Sequence, residues 1–367
     1  MADVLNKRFG TAYSESCFRK TWQYFDRMYD ACKDIFATSN DGCKELDIKR
    51  RELEKERKKL QTDKLEYNRW LREDAREEMI LEQITESIAG LSPVEVPRPR
   101  TLPQSNREGV ICLADAHFNT EFEIQGLFGE VLNSYSPEIF YGRMWHIRDK
   151  LKELCEKENI SVLHVFGLGD DQDGLLRLTD NLFKLRWGVI DSTIIYAEFM
   201  TMWINEVSKF VNVKLQMVED SNHNQLRMCS APKNAFKGEN LSKIIMHIIE
   251  SRLECNENVE IIKNPTGYIF ANIVGYNVIG VHGEVKSLKG ALDDLTRLYG
   301  IRLDYIVGGH KHHSEEYGFD CEAISVGSII GIDDYSTSLM KSSNASTALL
   351  IFEEGQGLVT KHTIKLN

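Results

Sequence analysis

The stretch VLHVFGLGDDQD, residues 162–173, decides the fold: an apolar, β-branched run of buried-strand length stops at Gly169 and gives way to a string of carboxylates. Four further runs have the same layout. VICLAD (110–115) leads into Asp115-Ala116-His117 and VKLQMVED (213–220) into Asn222-His223-Asn224, while YNVIGVHGE (276–284) carries His282-Gly283-Glu284 and YIVGGH (305–310) leads into His310-Lys311-His312. Helix-patterned segments alternate with these runs, which implies an α/β layered domain. The later runs AISVGSI (323–329), ALLIFEE (348–354) and LVTKHTIKL (358–366) read as consecutive strands without helices between them. The expected sheet system is therefore mixed, a sandwich of two sheets flanked by helices.

Polar groups at the carboxyl ends of sheet strands converge on one edge, where α/β sheets bind ligands. Six of the ten histidines, His117, His223, His282, His310, His312 and His313, sit in these clusters. One Asp-x-His or one His-x-His would be a weak signal, but five clusters in succession, each at a strand end, are a strong one. Carboxylate oxygen, imidazole nitrogen and an Asn carbonyl suit manganese first, with iron, zinc or magnesium as alternatives, and the lack of Cys donors argues against a structural zinc. Seven or eight donors exceed the needs of one ion, so the set reads as a centre for two divalent metal ions. Glu284 and His313 lie beside it without a clear place in it, and His146, His164, His247 and His362 stand alone.

Outward from this core the chain changes texture. From Ser14 to Phe36 the residues Phe18, Trp22, Phe25, Tyr29, Cys32 and Phe36 recur at intervals of four and three, an aromatic stripe on one helix face, for packing on the body or for a partner. Cys43–Ala89 holds no Gly or Pro, 47 residues able to run as one helix of roughly 70 Å. Leu46, Leu53, Leu60 and Tyr67 are seven apart, a thin coiled-coil seam, while Lys49, Arg50, Arg51, Lys55, Arg57, Lys58 and Lys59 offer the other reading, a basic helix against nucleic acid. Interleaved acids favour the first. Four of the seven prolines, Pro93, Pro97, Pro99 and Pro103, then mark a linker. The expected organisation is a helical extension over 1–90, a Pro-rich linker over 91–108 and a catalytic domain over 109–367.

A net charge of −11 in 367 residues, with 18 basic and 19 acidic residues in 1–90, places the acidic excess in the later part. That total does not favour sequence-independent nucleic-acid binding. The eight cysteines form no CxxC pair, as expected for reduced thiols. No run of about 18 apolar residues and no signal-peptide layout occur, so a cytoplasmic protein away from membranes is expected.

The order Asp-x-His, Gly-Asp-x-x-Asp, Asn-His, His, Gly-His-x-His over about Gly109–His313 resembles the calcineurin-like metallophosphoesterases. The resemblance implies a metallophosphoesterase β-sandwich with helices on both sides. Asp115, His117, Asp170 and His312 would hold one ion; Asp170, Asn222, His282 and His310 would hold the other, with Asp170 bridging. His223 would stabilise the transition state or protonate the leaving oxygen. Two departures stand out. Ser221 and Asn224 replace the Gly before and the acid after the usual Asn-His pair, so the carboxylate that orients His223 is missing or supplied elsewhere. The 55-residue gap from Asp115 to Asp170 points to an inserted element around Phe118–Trp145.

The helical stretch Leu175–Phe210 and the long amino-terminal extension look like the SbcD-like repair-exonuclease branch in its phage and prophage forms, although that branch commonly carries His where Asp173 stands. What this implies is a metal-dependent DNA nuclease, with DNA as substrate and a homo-oligomer, most simply a dimer, held through residues 1–90. With no Walker-type phosphate loop, any ATPase would be a separate chain. A phosphodiesterase or phosphatase for small nucleotides is the alternative that the acidic catalytic part favours. A binding protein with a degenerate site is the third, set against filled ligand positions.

Overall fold

The computed structural model describes residues 1–36, 48–68, 71, 94–100, 105–173, 184–225, 238–318, 321–338 and 344–366. The chain divides into two compact units, Met1–Gln83 and Ile84–Asn367.

In the first unit, helix α1 (Ala2–Phe9) ends at Gly10, whose left-handed φ of 63° a side chain would resist. Helix α2 (Glu15–Phe36) realises the aromatic spacing, with Trp22 beside Phe25 and Phe25 stacked on Tyr29. Those three side chains are 66, 51 and 50% exposed, so the stripe is not a buried one. Residues 48–68 are helical (α3), every one of them exposed. The rest of the expected 47-residue helix, apart from helical Leu71, lies outside the described residues, as do the Phe36 side chain, Pro93 and Pro103.

The second unit is built on two sheets. The first has the order β13-β12-β1-β4-β5-β6. Strands β1 (Arg107–Leu113), β4 (Val162–Gly167), β5 (Asn212–Met217) and β6 (Val259–Ile261) run parallel, and β12 (Ser346–Glu353) and β13 (Gly357–Lys365) complete it antiparallel. The second has the order β10-β11-β9-β8-β7. Here β8 (Tyr276–Val281), β9 (Tyr305–Gly308) and β11 (Glu322–Ser325) are parallel, edged by β7 (Ile269–Ile273) and β10 (Glu315–Gly318).

The strands that expose neither face read as continuous apolar runs. In β1, Val110 and Cys112 point between the sheets with Phe166, Val278, Val307, Ile324, Leu350 and Phe352. The alternate residues Ile111 and Leu113 are buried too, on the face away from that cluster. On the outer face of the second sheet, Leu288, Leu292 and Leu295 of α7 (Leu288–Tyr299) pack on Ile279, Val281 and Ile306. Helices α4 (Pro137–Lys157), α5 (Val189–Val207) and α6 (Leu241–Leu253) carry buried Phe140, Met144, Trp203, Ile204, Ile245 and Ile249. This is the α/β sandwich with flanking helices expected from the sequence.

One reading needs correction. A short helix, α8 (Asp334–Ser338), lies between β11 and β12, where none was expected. The inserted element after Asp115 contains a hairpin, β2 (Phe122–Gln125) with β3 (Val131–Tyr135), anchored by Tyr135 Oη donating to the Ala116 carbonyl and by the Asn133 amide donating to Ile330 O at 2.9 Å. Residues 94–100 have no regular structure, but the Arg100 N–H donates to Asn258 Oδ1 at 3.0 Å and Glu95 O accepts from the Asn205 amide at 2.9 Å. Among the described residues no helix is long and apolar enough to cross a membrane.

Candidate metal centre

Strands β1, β4 and β5 of one sheet and β8 and β9 of the other end on the same edge, and their exit loops bring every expected donor together. The first two loops run side by side: the His117 N–H donates to Asp170 O at 2.9 Å, Phe118 N–H to Asp171 O at 3.1 Å and Asp173 N–H to Phe118 O at 3.0 Å. Asp115, His117, Asp170, His310 and His312 all have positive φ, between 42° and 65°. Side chains with a Cβ resist that region, and clusters of such residues accompany functional sites. Gly169 has a requirement of its own: at its φ of 92° a Cβ would come within 2.7 Å of Ser221 and 2.9 Å of His282 Nδ1.

The donors fall into groups whose ligand atoms lie within 4.8 Å of one another: Asp115 with His117 and His312, Asp170 with His282 and His310, and His117 with Asp173 and His223. Asp170 Oδ2 is 3.1 Å from His282 Nε2 and 3.9 Å from His223 Nε2. The Asn222 side-chain oxygen is 3.0 Å from His282 Nε2. His282 Nδ1 faces the Leu168 carbonyl at 2.9 Å, which fixes the ring with Nε2 toward Asp170. His117 Nε2 is buried without a partner, as is His312 Nδ1. Orphaned ring nitrogens among converging carboxylates are what a divalent cation satisfies, so the donor set fits the metals expected.

The electrostatics agree. Burial opposes a charged imidazole at His117, yet Asp173, then Asp170 and Asp115, raise its pKa to about 10. His282, opposed by burial but raised by Asp170, reaches about 9. His310 moves down, through burial and the neighbouring His282. Asp170 is held well below the ordinary carboxylate value in spite of burial, by His223 and His282. The edge thus concentrates negative charge that only cations, protons or metals, can balance.

The residue that sequence reasoning undervalued is Asp173. Its Oδ1 accepts from His223 Nδ1 and, at 2.9 Å, from His117 Nδ1, while Thr120 Oγ1 donates to Oδ2. The orienting carboxylate absent at position 224 is therefore present at 173, and the Asp-x-x-Asp spacing was its signal. The two replacements beside the Asn-His pair also have local causes. Ser221 Oγ accepts the Asp170 N–H at 2.9 Å. The Asn224 amide, fully buried, donates to Asp171 Oδ2 at 2.6 Å and Ser242 Oγ at 2.7 Å. Burial pushes the Asp171 carboxyl up to about 6 despite the bonds it accepts from Asn224 and Tyr196. An acid at 224 would face that carboxylate directly.

His313 turns away from the donor groups, with Nδ1 at 2.7 Å from Lys311 O and Nε2 at 2.9 Å from Glu315. His164 and His362 pair with Glu108 and Glu158, as ordinary structural histidines do.

Residues 1–37 match the family described as the YonJ N-terminal domain, and residues 49–90 match the YonJ coiled-coil domain. Along its whole length the chain is 28% identical to the SPbeta prophage-derived uncharacterized protein YonJ of Bacillus subtilis (strain 168), 91% of which is covered. Solved structures to which it is similar include Vps29 complexed with zinc from Entamoeba histolytica, at 11% identity and a TM-score of 0.32 over 71% of this chain and 99% of that one. A dimetal phosphatase from Danio rerio aligns over the same shares at 10% identity, again with a TM-score of 0.32.

Proposed function

We propose that this chain is a divalent-metal-dependent phosphodiester hydrolase and that DNA is its substrate. The observation that carries the reading is the convergence of Asp115, His117, Asp170, Asn222, His282, His310 and His312 on one sheet edge, with His223 beside them. When bound, two divalent ions would acidify a water, hold the phosphoryl oxygens and offset charge on the attacking and leaving oxygens.

The chain's own residues do the rest. Asp170, grouped with His282 and His310, would be shared between the two ions, and its Oδ1 accepts the His223 N–H at 3.0 Å, which fixes the loop that carries the histidine. His223, with Nδ1 bonded to Asp173, keeps Nε2 toward the site, where a proton on it can reach a leaving alkoxide. Asp173 holds the ring in that orientation. The preference for DNA rests on the likeness of the motif order and the helical extension to the SbcD-like branch.

A second reading, a small nucleotide as substrate, is favoured by a specific observation. Among the described residues, several basic side chains near the donors are matched by carboxylates: Lys311 pairs with Glu315, Lys184 with Asp334, and Arg186 with Glu121 and Glu138. Such pairs take those positive charges away from a polyanion track. The test is to load the purified chain with manganese and offer, separately, linear duplex DNA, single-stranded DNA, a cyclic dinucleotide and a bis-aryl phosphate, with Asp170→Asn as the control. Cleavage of DNA that the Asp170→Asn chain lacks supports the proposal. Turnover of the dinucleotide alone selects the second reading, and no turnover of any of the four overturns the hydrolase.

A further inference from the structure

We propose that a cleft on the edge that carries the metal donors, lined by Arg143, His146 and Lys365, binds a backbone phosphate of a nucleic-acid strand about three nucleotides from the bond being cleaved. The inference rests on the reading of the centre as a phosphodiester hydrolase, and names a polynucleotide rather than a small nucleotide as what it takes.

Strand register places the cleft. Strand β13 is antiparallel to β12, and β12 to β1, so β13 and β1 run the same way. Lys365 pairs with Ser346, two residues before Ala348, and Ala348 pairs with Cys112. Carried two residues on, that register sets Lys365 level with Ala114, next to Asp115. Two strand spacings of about 4.8 Å put it about 10 Å along the edge from β1. A stacked strand rises about 3.4 Å per nucleotide, so about three nucleotides cover that distance.

The walls are chemically one-sided. Gly142, Arg143 and His146 share one face of α4, and with Lys365 they line a cavity of about 590 Å³ to which Asn133 and Ser134 add polar side chains. Among the described residues no carboxylate lines it, and neither His146 nor Lys365 takes part in an ion pair. Arg143 is 7% exposed, and its guanidinium donates to Ile329 O at 2.8 Å, Ile330 O at 2.9 Å and Asn133 Oδ1 at 3.0 Å, three neutral oxygens. Burial pulls its pKa down, and only Tyr135 acts the other way. A buried cation without a counter-charge is costly, and an anion in the adjoining cavity offsets that cost. Lys184, Arg186 and Lys311 are matched by carboxylates; Arg143 and Lys365 are not.

The same guanidinium ties the cleft to the centre. Ile329 and Ile330, whose carbonyls it holds, donate their own N–H groups to the carbonyls of Ala114 and Asp115 at 3.0 and 3.1 Å. A phosphate in the cleft is thus one guanidinium away from the loop that carries the first donor.

The experiment compares KM and kcat of the manganese-loaded full-length chain on single-stranded DNA of about 20 nucleotides and on a linear dinucleotide, over a range of salt. Gly142→Glu puts a carboxylate into the cleft, and a Cβ at Gly142 meets nothing within 4 Å, so the fold has room for it. Gly142→Gln is its uncharged control, and Lys365→Gln removes an exposed ammonium. On the DNA, Gly142→Glu should raise KM about 10-fold or more, against less than about 3-fold for Gly142→Gln. Lys365→Gln should raise KM and lower the slope of log(1/KM) against log salt by about 1. A wild-type KM in Gly142→Glu, or an unaltered salt slope in Lys365→Gln, would overturn the cleft. So would the same rise in KM on the dinucleotide, whose single phosphate lies at the donors and cannot also reach the cleft. Wild-type turnover of the dinucleotide alone would overturn the cleft and leave the hydrolase standing, whereas turnover of neither substrate would overturn the hydrolase and the cleft with it.

Discussion

Asp173→Asn isolates the carboxylate that two histidines share. The substitution keeps the shape of a buried side chain, and its amide nitrogen can still donate to Thr120 Oγ1, so the fold should survive. What is lost is the charge that accepts from His117 and His223. A hydrogen bond to a charged partner is worth about 1.5–3 kcal/mol. At about 1.4 kcal/mol per factor of ten in rate, the loss at His223 alone corresponds to a fall in kcat of roughly 10- to 150-fold. At His117 the same loss removes the group that orients a ligand nitrogen, which should weaken metal affinity about 10- to 100-fold. The two effects separate by titrating manganese during hydrolysis of a bis-aryl phosphate: excess metal restores the second and not the first. The expected outcome is a higher manganese requirement together with a depressed plateau. A plateau within a factor of two or three of wild type would refute the argument that Asp173 positions His223.

Other outcomes are equally specific. Asn224→Asp should place two carboxylates against each other in a buried setting and lower stability in urea unfolding by about 3 kcal/mol or more, and the reciprocal pair Asp171→Asn with Asn224→Asp should recover most of it. His117 and His282, raised in the metal-free protein to about 10 and about 9, are protonated at pH 7.5. Manganese binding followed calorimetrically in buffers of different ionisation enthalpy should therefore release close to two protons per chain, declining above pH 9. Because both values lie above the ordinary 6.5, the metal-free fold should keep this stabilisation in full below about pH 6.5 and lose it as pH climbs through 9 to 10. Finally, we propose from the exposed stripe of α2 a dimer held by residues 1–90. A chain starting at Gly109 should be monomeric by light scattering while keeping its aryl phosphodiesterase activity, and a full-length monomer at micromolar concentration would sink the proposal.

The legible part of this fold was its doubly covered strands. β1, β4, β8 and β9 hide both faces over most of their length and read as largely apolar runs, β5 is interrupted by Lys214 and Gln216, and the change to Asp, Asn and His marks where each leaves the sheet. Strands with a wet face or an exposed edge left no such trace: β10 is Glu-Glu-Tyr-Gly, and β2 alternates Phe122 and Ile124 with Glu123 and Gln125. The donors were legible because their chemistry is carried by residue type. The support beneath them was not. That Asp173 meets a histidine 50 residues away, or that Asn224 answers Asp171, follows from two loops being laid side by side, which single-sequence patterns do not encode.

The left-handed backbone at Asp115, His117, Asp170, His310 and His312 has a consequence for how this protein can change. Each of these residues holds a conformation that costs roughly 1–2 kcal/mol with a side chain and almost nothing with glycine. Glycine at any of them would relax the loop and delete the donor in one step. Selection for a sturdier protein and selection for its chemistry therefore pull in opposite directions at the same five positions. Replacement by glycine is a downhill step in stability that removes a donor, and the five side chains in place here carry that cost together.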